Sequence, residues 1–464
     1  MVAADELLGE KTDRNVKQFF GQSVTIPEGP SVLQLGGNDA QQMRECAKIY
    51  NEVSQKINHN CEYIALNLNC GCPSPSVSGK KCFGAALMKD PSHVTKLVRA
   101  MHDGIDGKIP ITVKCRIGVH DIDENTPFSR KLYDKISEKK EYEQLRSFID
   151  EIASDGIVKN FQIHARIAVL GGSLSPADNR RIPPLKYEYV HRLADQYPDL
   201  NFVLNGGIHS LPQVREELDG NKSLAGVMVG RAFCADPWSF SFADELIYED
   251  TTQHHMMCAN RRELLEAYGR HADFEESRND PVTIRRSLVA ACAHLFAGEP
   301  NAKQFRRELD EISARPERLQ RKAKAKVWSR IAGDSRGSTT LASAFQSSTT
   351  TPAGGNWDDI QASGSLGKVA DVGWDDIQAI DDNTKWDENE PPLSELILEA
   401  AQRNFGDRVL SSSRKESYDK RVWEEEQARL RRAKGEPILS TVDISSTVSG
   451  GVVDGWYKNG LNSN

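Results

Sequence analysis

From about residue 31 to about residue 235 the chain alternates short apolar strands with glycine-bearing turns and amphipathic helical segments. Strands of nearly continuous apolar character that alternate with helices are typical of a parallel sheet covered by helices. The pattern therefore predicts an α/β protein. The predicted strands are Val32–Leu35, Tyr63–Leu68, Ile109–Lys114, Phe161–Ile163, Phe202–Leu204 and Gly226–Val229.

The segments between these strands carry apolar residues at helical spacing. In the first segment the residues at i, i+3, i+4 and i+7 are Met43, Cys46, Ala47 and Tyr50. No Gly-x-Gly-x-x-Gly motif follows a strand, which disfavours a Rossmann sheet. The repeated units favour a TIM (β/α)₈ barrel. Since six strands are found and residues 1–8 look like the tail of an earlier strand, we expect the first strand to be missing.

Polar and reactive residues stand at the carboxyl ends of the predicted strands. Asn69 and Cys72 follow the strand Tyr63–Leu68 and precede Pro73. Ligands of parallel barrels bind at the carboxyl ends of strands, so chemistry is expected at these two residues. A lone Cys-Pro would favour a structural thiol, because free cysteine commonly packs as a small buried hydrophobe. Matching signatures at other strand ends favour the reactive interpretation.

Those signatures are long and ordered along the chain. One strand ends in Lys114 and Arg116, another in His164 and Arg166, and the last two in glycine turns at 205–207 and 230–231. With a block that runs from His164 through 174–176 to Leu185, the chain resembles the tRNA-dihydrouridine synthases, and most closely their A-type subfamily. The resemblance covers about residues 1–325.

The resemblance implies a flavoenzyme on a TIM barrel. It would reduce uridines in the tRNA D-loop, around position 20, to 5,6-dihydrouridine. Reduced FMN would deliver a hydride to C6, Cys72 would donate a proton to C5, and NADPH would be the reductant. Asn69 would hydrogen-bond the uracil edge, because its amide offers both a donor and an acceptor.

Other residues are assigned to FMN by the same resemblance. Lys114 would face the N1–O2 edge of the flavin, Gln34 would bond the isoalloxazine amide, and His164 would be a further ligand. The phosphate would lie on the two glycine turns. These turns comprise Asn205, Gly206, Gly207, Gly230 and Arg231.

The tRNA would need further contacts, because its target base must be flipped out before a flavin can reach it. The candidate residues are Arg116, Arg166, Asn179, Arg180, Arg306 and Arg307. Residues 1–245 are predicted to form the barrel domain and residues 253–330 a helical tRNA-binding domain. Arg285 is expected on an outer helix face together with Arg306 and Arg307.

Residues 333–464 are predicted to form a largely disordered tail, with disorder over 333–390 and a charged helix around Lys420–Lys434. Their Ser-, Thr-, Gly- and Asp-rich composition buries too little apolar surface to offset the entropy of ordering. A Trp-Asp-Asp-Ile-Gln-Ala repeat begins at Trp357 and again at Trp374. It resembles a docking motif for a protein partner, and a drifted duplication without a partner is the alternative.

The bulk composition sets weaker bounds. The net charge is −8 and the sequence pI is about 5.9, although nucleic acids are held by local basic patches rather than by total charge. Nine scattered cysteines indicate a reducing compartment, and their spacing predicts no metal site. No apolar run reaches the ~18 residues of a membrane span. We expect a cytoplasmic protein, with an organellar location open because a targeting peptide would precede residue 1.

Two alternatives to a tRNA-dihydrouridine synthase stay open. One is a flavin barrel that acts on a small pyrimidine, which would lack the basic helical domain and the 174–185 block. The other is an inactive, truncated remnant that binds RNA or acts as a scaffold. The colour of bound flavin in the purified protein distinguishes the remnant from the enzymes.

Overall fold

The structure is a computed structural model that describes residues 1–9, 31–56, 63–74, 77, 83–122, 138–171, 174–248, 258–316 and 391–433. The chain divides into two units, Met1–Phe233 and Cys234–Asn464. The predicted barrel domain, residues 1–245, contains the first unit and the first residues of the second. The predicted Trp357 and Trp374 repeats lie outside the described residues.

The first unit is built on a parallel sheet of seven strands among its described residues, in the order β1-β2-β3-β4-β6-β8-β9. Two further short strands, β5 and β7, form a separate parallel pair. The strands are β1 Val2–Ala3, β2 Ser31–Gly36, β3 Tyr63–Cys70, β4 Ile111–Arg116, β5 Val119–Asp121, β6 Val158–His164, β7 Ala168–Leu170, β8 Asn201–Asn205 and β9 Gly226–Met228.

Helices follow the strands along the chain and cover one face of the sheet. Their bounds are Ala4–Leu7, Ala40–Lys56, Pro91–Gly104, Glu138–Ala153, Tyr187–Gln196, Leu211–Gly220 and Arg231–Ala235, with 3₁₀ turns at Gly84–Lys89 and Asp178–Arg180. This mostly parallel α/β architecture confirms the predicted fold class and has the strand–helix order of a TIM barrel.

The strands alternate between two environments. In β3, Leu66, Leu68 and Cys70 are fully buried in the core that the helices cover, whereas Asn67 and Asn69 point to the opposite face. That opposite face is polar along β2, β3, β4 and β6. Because neighbouring strands are in register, polar side chains of adjacent strands lie beside one another in rows across this face. Successive rows lie nearer to the carboxyl ends of the strands.

The second unit is helical in its described residues. Helices Pro281–Cys292 and 302–316 contribute to its core, in which Phe296 packs edge-on against Phe305. The remaining helices of this unit are Ala243–Ile247, Arg261–Arg278, Leu393–Leu410 and Arg414–Ala433, and Pro237–Phe240 forms a 3₁₀ turn.

Residues 391–433 of the predicted tail are helical, and the charged helix predicted around Lys420–Lys434 overlaps the helix Arg414–Ala433. Leu393, Leu396, Ile397, Ala400 and Ala401 are buried on one helix face in the same core as residues 265–312. Their i, i+3, i+4, i+7, i+8 spacing is a helical signal that the polar composition of the surrounding tail concealed.

Polar contacts fix this late segment to the earlier helices of its own unit. The Ser394 hydroxyl donates to the Asp273 carboxylate at 2.5 Å, and the Ser394 backbone N–H donates to the same carboxylate at 2.9 Å. Trp238 Nε1 donates to Ser417 Oγ at 2.8 Å. Residues 391–433 are therefore part of the helical unit rather than an appendage.

The structure also corrects the expected position of Arg285. It was expected on an outer face, but its side chain is completely buried in an ion pair with Glu276, with Nε and Oε1 2.5 Å apart. A guanidinium can be buried when a carboxylate meets it in this two-pronged geometry.

Within the described ranges, no helix is long and apolar enough to cross a membrane.

We predict that Ile397→Ala lowers the free energy of unfolding of the full chain by about 2–5 kcal/mol, because it removes a buried side chain and leaves a cavity. Chemical denaturation measures the change. Glu395→Ala, on the exposed face of the same helix, is the control and should stay within about 0.5 kcal/mol of the parent. Equal stability of the two variants would show that this helix is not part of the core.

Candidate active site

Three predicted site residues lie side by side at the carboxyl edge of the sheet. The register of β4, β6 and β8 pairs Arg116 with His164, and His164 with Asn205. Lys114 lies one row below, and its Nζ donates to Asn205 Oδ1 at 3.2 Å. The Asn205 amide in turn donates to the carbonyl of Met228 at 2.8 Å, which ties β8 to β9.

The loop that carries Cys72 is held by the strand that precedes it. Asn69 Oδ1 accepts hydrogen bonds from the backbone N–H groups of Gly71 at 3.0 Å and Cys72 at 3.1 Å. On the other side, the Cys72 carbonyl accepts from the N–H of Ala85 at 2.9 Å. Cys72 itself is only partly buried, so its thiol is accessible while its backbone is fixed.

Gly84 explains why the loop is followed by a run of small residues. Its φ of +67° suits glycine, and an added Cβ would lie 2.6 Å from the Cys72 carbonyl oxygen. A larger residue there would push the Cys72 loop away from β3.

Arg116 lies beneath this loop rather than on the surface. It is almost completely buried, and its Nε donates to the Gly71 carbonyl at 3.1 Å. Its Nη1 donates to the carbonyls of Ile167 at 3.1 Å and Asn179 at 2.9 Å. The expectation was an RNA contact, whereas the structure shows a guanidinium that joins three loops around the site.

Positive charge is concentrated at this edge. We refer to Lys114, Arg116, Arg166, Arg180 and Arg231 as the cationic cluster, because each lies close enough to another member, or to their common neighbour His164, to shift a pKa. Among the described residues, none of the five forms an ion pair with a carboxylate. The cluster is therefore suited to hold an anion.

Burial and mutual repulsion act on the charged groups in the same direction. Burial first, and Arg116 second, lower the pKa of Lys114 to about 8. Burial lowers the pKa of Arg116 to about 9, with the Cys72 sulfur opposing that change. Burial and the surrounding cations lower the pKa of His164, so its imidazole is neutral at physiological pH.

The glycine turn after β8 supports His164. Gly206 has a φ of +117°, and a Cβ on it would lie 2.4 Å from His164 Cδ2. We expected glycine here so that the backbone could approach a phosphate, and the structure adds a second reason, since the imidazole packs on the bare Cα. Gly207 packs likewise against the side chain of Leu185.

The other predicted turn is more open. A Cβ on Gly230 would meet no atom within 4 Å, and Arg231 begins the short helix that follows. Arg231 as a whole residue is exposed, but its guanidinium is partly desolvated. This desolvation and, second, the proximity of Arg180 lower the pKa of Arg231. Open space beside Gly230 and a cation next to it leave room for an anionic group.

Two of the predicted RNA contacts point into the cationic cluster. Arg166 donates through Nη1 to the Pro183 carbonyl, while its Nε is buried and has no hydrogen-bond partner among the described residues. The Nε of Arg180 is in the same situation. Buried donors without partners are rare in folded proteins and indicate that a ligand or water completes them.

Asn179 differs from the expectation. Its side chain is completely buried, and its Oδ1 accepts from the Val169 N–H at 2.8 Å while its Nδ2 donates to the Val169 carbonyl at 3.0 Å. The amide thus imitates a strand partner for β7. It holds the loop that Arg116 also binds, and it is not accessible to RNA in this conformation.

Sequence reasoning missed Asn67, Thr112 and Gln162, which lie on the polar face below the site. Asn67 Nδ2 donates to Thr112 Oγ1 at 2.7 Å and to Gln162 Oε1 at 2.8 Å. Their signal was present, because each alternates with apolar residues along its strand. The strand over 63–68 was instead interpreted as a continuous apolar run.

In the second unit, Arg306 and Arg307 lie on the helix 302–316. Arg307 is exposed and Arg306 is half-buried, and neither forms an ion pair with a described residue.

Within the described ranges, no group of three or more His, Cys, Asp or Glu side chains is placed to hold a metal ion.

The chain is similar to a family of known proteins. The family model described as dihydrouridine synthase (Dus) matches residues 1–330. The chain is 37% identical over 298 residues to the tRNA-dihydrouridine(20/20a) synthase of Synechocystis sp., a match that covers 63% of this chain and 77% of the relative.

Relatives of the same name share similar identity. The protein from Yersinia pestis is 34% identical over 288 residues, which cover 62% of this chain and 72% of the relative. The protein from Shewanella oneidensis is 37% identical over 284 residues, which cover 61% of this chain and 73% of the relative. The chain therefore belongs to the dihydrouridine synthase family of oxidoreductases.

Proposed function

We propose that this protein reduces uridines 20 and 20a in the D-loop of tRNA to 5,6-dihydrouridine, with FMN as the bound cofactor and NADPH as the reductant. The relatives described above are named tRNA-dihydrouridine(20/20a) synthases, which supports these two positions. The observation that carries the proposal is the cationic cluster, which forms no ion pair with a carboxylate among the described residues, next to the partly buried Cys72.

The residues at the sheet edge fit a flavin mononucleotide. The unpartnered Nε groups of Arg166 and Arg180, and the open space beside Gly230, suit a phosphate. Lys114 supplies a cation in the row below, where negative charge on a reduced ring would be offset. When bound, the flavin supplies the hydride equivalent that the C6 position of uracil receives.

Cys72 is the proposed proton donor to C5 of the uracil. Cysteine thiols can serve as general acids. Lys114 and Arg116 both lie close enough to the Cys72 sulfur for its negative form to raise their pKa values.

Asn69 positions this acid. It holds the N–H groups of Gly71 and Cys72, so rotation of its amide would release the loop. The uracil contact assigned to Asn69 by resemblance would require its amide to exchange one of these partners. We therefore propose that Asn69 first orients Cys72, and that its contact with the base forms as the substrate binds.

The tRNA is proposed to contact both units. Arg307 and Arg306 offer unpaired cations on one helix, and phosphate contacts of this kind supply most of the affinity for RNA irrespective of sequence. The buried members of the cationic cluster then act on the flipped-out nucleotide and on the cofactor.

We predict that Cys72→Ala lowers the rate of dihydrouridine formation by about 10²-fold or more, the usual scale for the loss of a general acid. FMN binding and NADPH oxidation should stay close to those of the parent, because the thiol does not hold the cofactor. Dihydrouridine is measured in tRNA by mass spectrometry and NADPH oxidation by absorbance.

Cys70→Ala is the matched control, because Cys70 lies two residues away but is buried on the helix-covered face of β3. It should retain most of the activity. Full activity of the Cys72→Ala variant would remove Cys72 from the reaction.

We also predict that the affinity of the apoprotein for FMN falls as the pH rises from 7 to 9.5. The pKa of Lys114 is lowered to about 8, so the free protein loses this positive charge as the pH passes 8. An anion bound nearby raises that pKa, so binding takes up a proton and weakens when protons are scarce. Titration of FMN fluorescence at several pH values measures the trend.

Lys114→Arg serves as the control for this titration. A guanidinium holds its proton more tightly than an ammonium group, so the pH dependence should flatten between pH 7 and 8.5. An equal decline in both proteins would assign the effect to another group.

A further inference from the structure

A chain of side-chain hydrogen bonds runs beneath the active site from β4 to the Cys72 loop. At its lower end, the Thr112 hydroxyl donates to the Leu66 carbonyl at 3.4 Å. The Thr112 oxygen then accepts from Asn67 Nδ2 at 2.7 Å. Gln162 accepts the second hydrogen of the same Asn67 nitrogen through its Oε1 at 2.8 Å.

The upper half of the chain reaches the residues of the site. Gln34 Nε2 donates to Asn67 Oδ1 at 2.8 Å, and Asn69 Nδ2 donates to Gln34 Oε1 at 3.0 Å. Asn69 Oδ1 finally accepts from the backbone N–H groups of Gly71 and Cys72. Asn67 thus links Thr112, at the lower end of this hydrogen-bond chain, to the side-chain amides of Gln34 and Asn69.

Backbone groups fix the direction of every amide in this chain. A carbonyl can only accept, so the Thr112 hydroxyl must donate to Leu66, and Asn67 must turn its NH₂ toward Thr112. At the other end, a backbone N–H can only donate, so Asn69 must turn its oxygen toward Cys72. The bonds at both ends are satisfied only when Gln34 turns its Nε2 toward Asn67 and its Oε1 toward Asn69.

Burial makes this orientation rigid. Asn67 is 3% exposed, Thr112 is 5% exposed and Asn69 is 9% exposed, so little water can take the place of a lost partner. Turning one amide over would set two donors or two acceptors against each other, which is costly where water cannot intervene. Among the described residues, Gln34 keeps one N–H and one oxygen lone pair for a ligand.

We propose that Asn67 is a positioning residue that sets the direction of the Gln34 and Asn69 amides, and thereby presents Gln34 to the flavin and fixes the Cys72 loop. This inference rests on the proposed function, in which Gln34 contacts the flavin. Asn67 itself touches neither cofactor nor base. Its effect on the cofactor is transmitted through Gln34.

A double-mutant cycle with apoprotein and FMN tests this role. Asn67→Leu keeps the side-chain volume but removes the acceptor that orients Gln34. We expect it to weaken FMN binding about tenfold, equivalent to about 1.4 kcal/mol, the scale of one hydrogen bond. In a Gln34→Leu background the same substitution should change FMN affinity less than about twofold, because its target is gone.

Additive effects in the two backgrounds would overturn the proposal, since they would mean that Asn67 acts through general packing. Asn67→Asp provides a second decision if Asn67→Leu does not fold. An Asp side chain keeps an oxygen that accepts from Gln34 Nε2, so FMN affinity should stay within about threefold of the parent. A folded Asp variant that binds FMN tenfold more weakly would also overturn it.

The parent protein separates this inference from the proposed function. If the parent apoprotein takes up no FMN, the proposed function fails. If the parent binds FMN and the cycle is additive, the proposed function stands and only the role of Asn67 is rejected.

Discussion

Positive charge held at one edge of the sheet, with no ion-paired carboxylate among the described residues, is the constraint on which the rest of the site depends. Taking cations out of water costs free energy, and the lowered pKa values of Lys114 and Arg116 report that cost. The protein bears it through hydrogen bonds from Arg116 to three backbone carbonyls. An anionic ligand would offset what remains, so the structure is organised to receive one.

The polar face below this edge leads to the loop that carries Cys72. Side chains of β2, β3, β4 and β6 bond to one another in rows, and the last bonds reach the backbone of Cys72. A thiol on a loose loop would spend most of its time away from a base. A thiol whose backbone is tied on both sides can be aligned with the base before the proton moves.

Much of this could be predicted from the sequence, because the chemistry-bearing residues stand immediately after apolar strands. The strand order brought Lys114, His164 and Asn205 together as their positions implied. The sequence could not reveal which polar residues would face inward as structural bonds. Asn179 looked like a surface contact, yet its amide completes the ladder of β7, a role that depends on distant backbone groups.

In the helical unit, the sequence contained a folding signal that its average composition concealed. Composition averaged over 333–464 predicted disorder, but the five-residue apolar pattern from Leu393 to Ala401 decides the fold of its segment. That pattern acquires meaning only when a partner surface exists, here the helix Arg261–Arg278 and the residues around Phe296. A short periodic signal inside a polar tail therefore deserves more weight than the average.

The most direct test of the account is incubation of the purified, FMN-loaded protein with NADPH and an unmodified tRNA transcript, followed by mass spectrometry of the digested RNA. The account predicts a gain of two hydrogen atoms at uridines 20 and 20a, and at no other uridine. A protein that retains its flavin and oxidises NADPH, yet leaves both uridines unchanged, would contradict it.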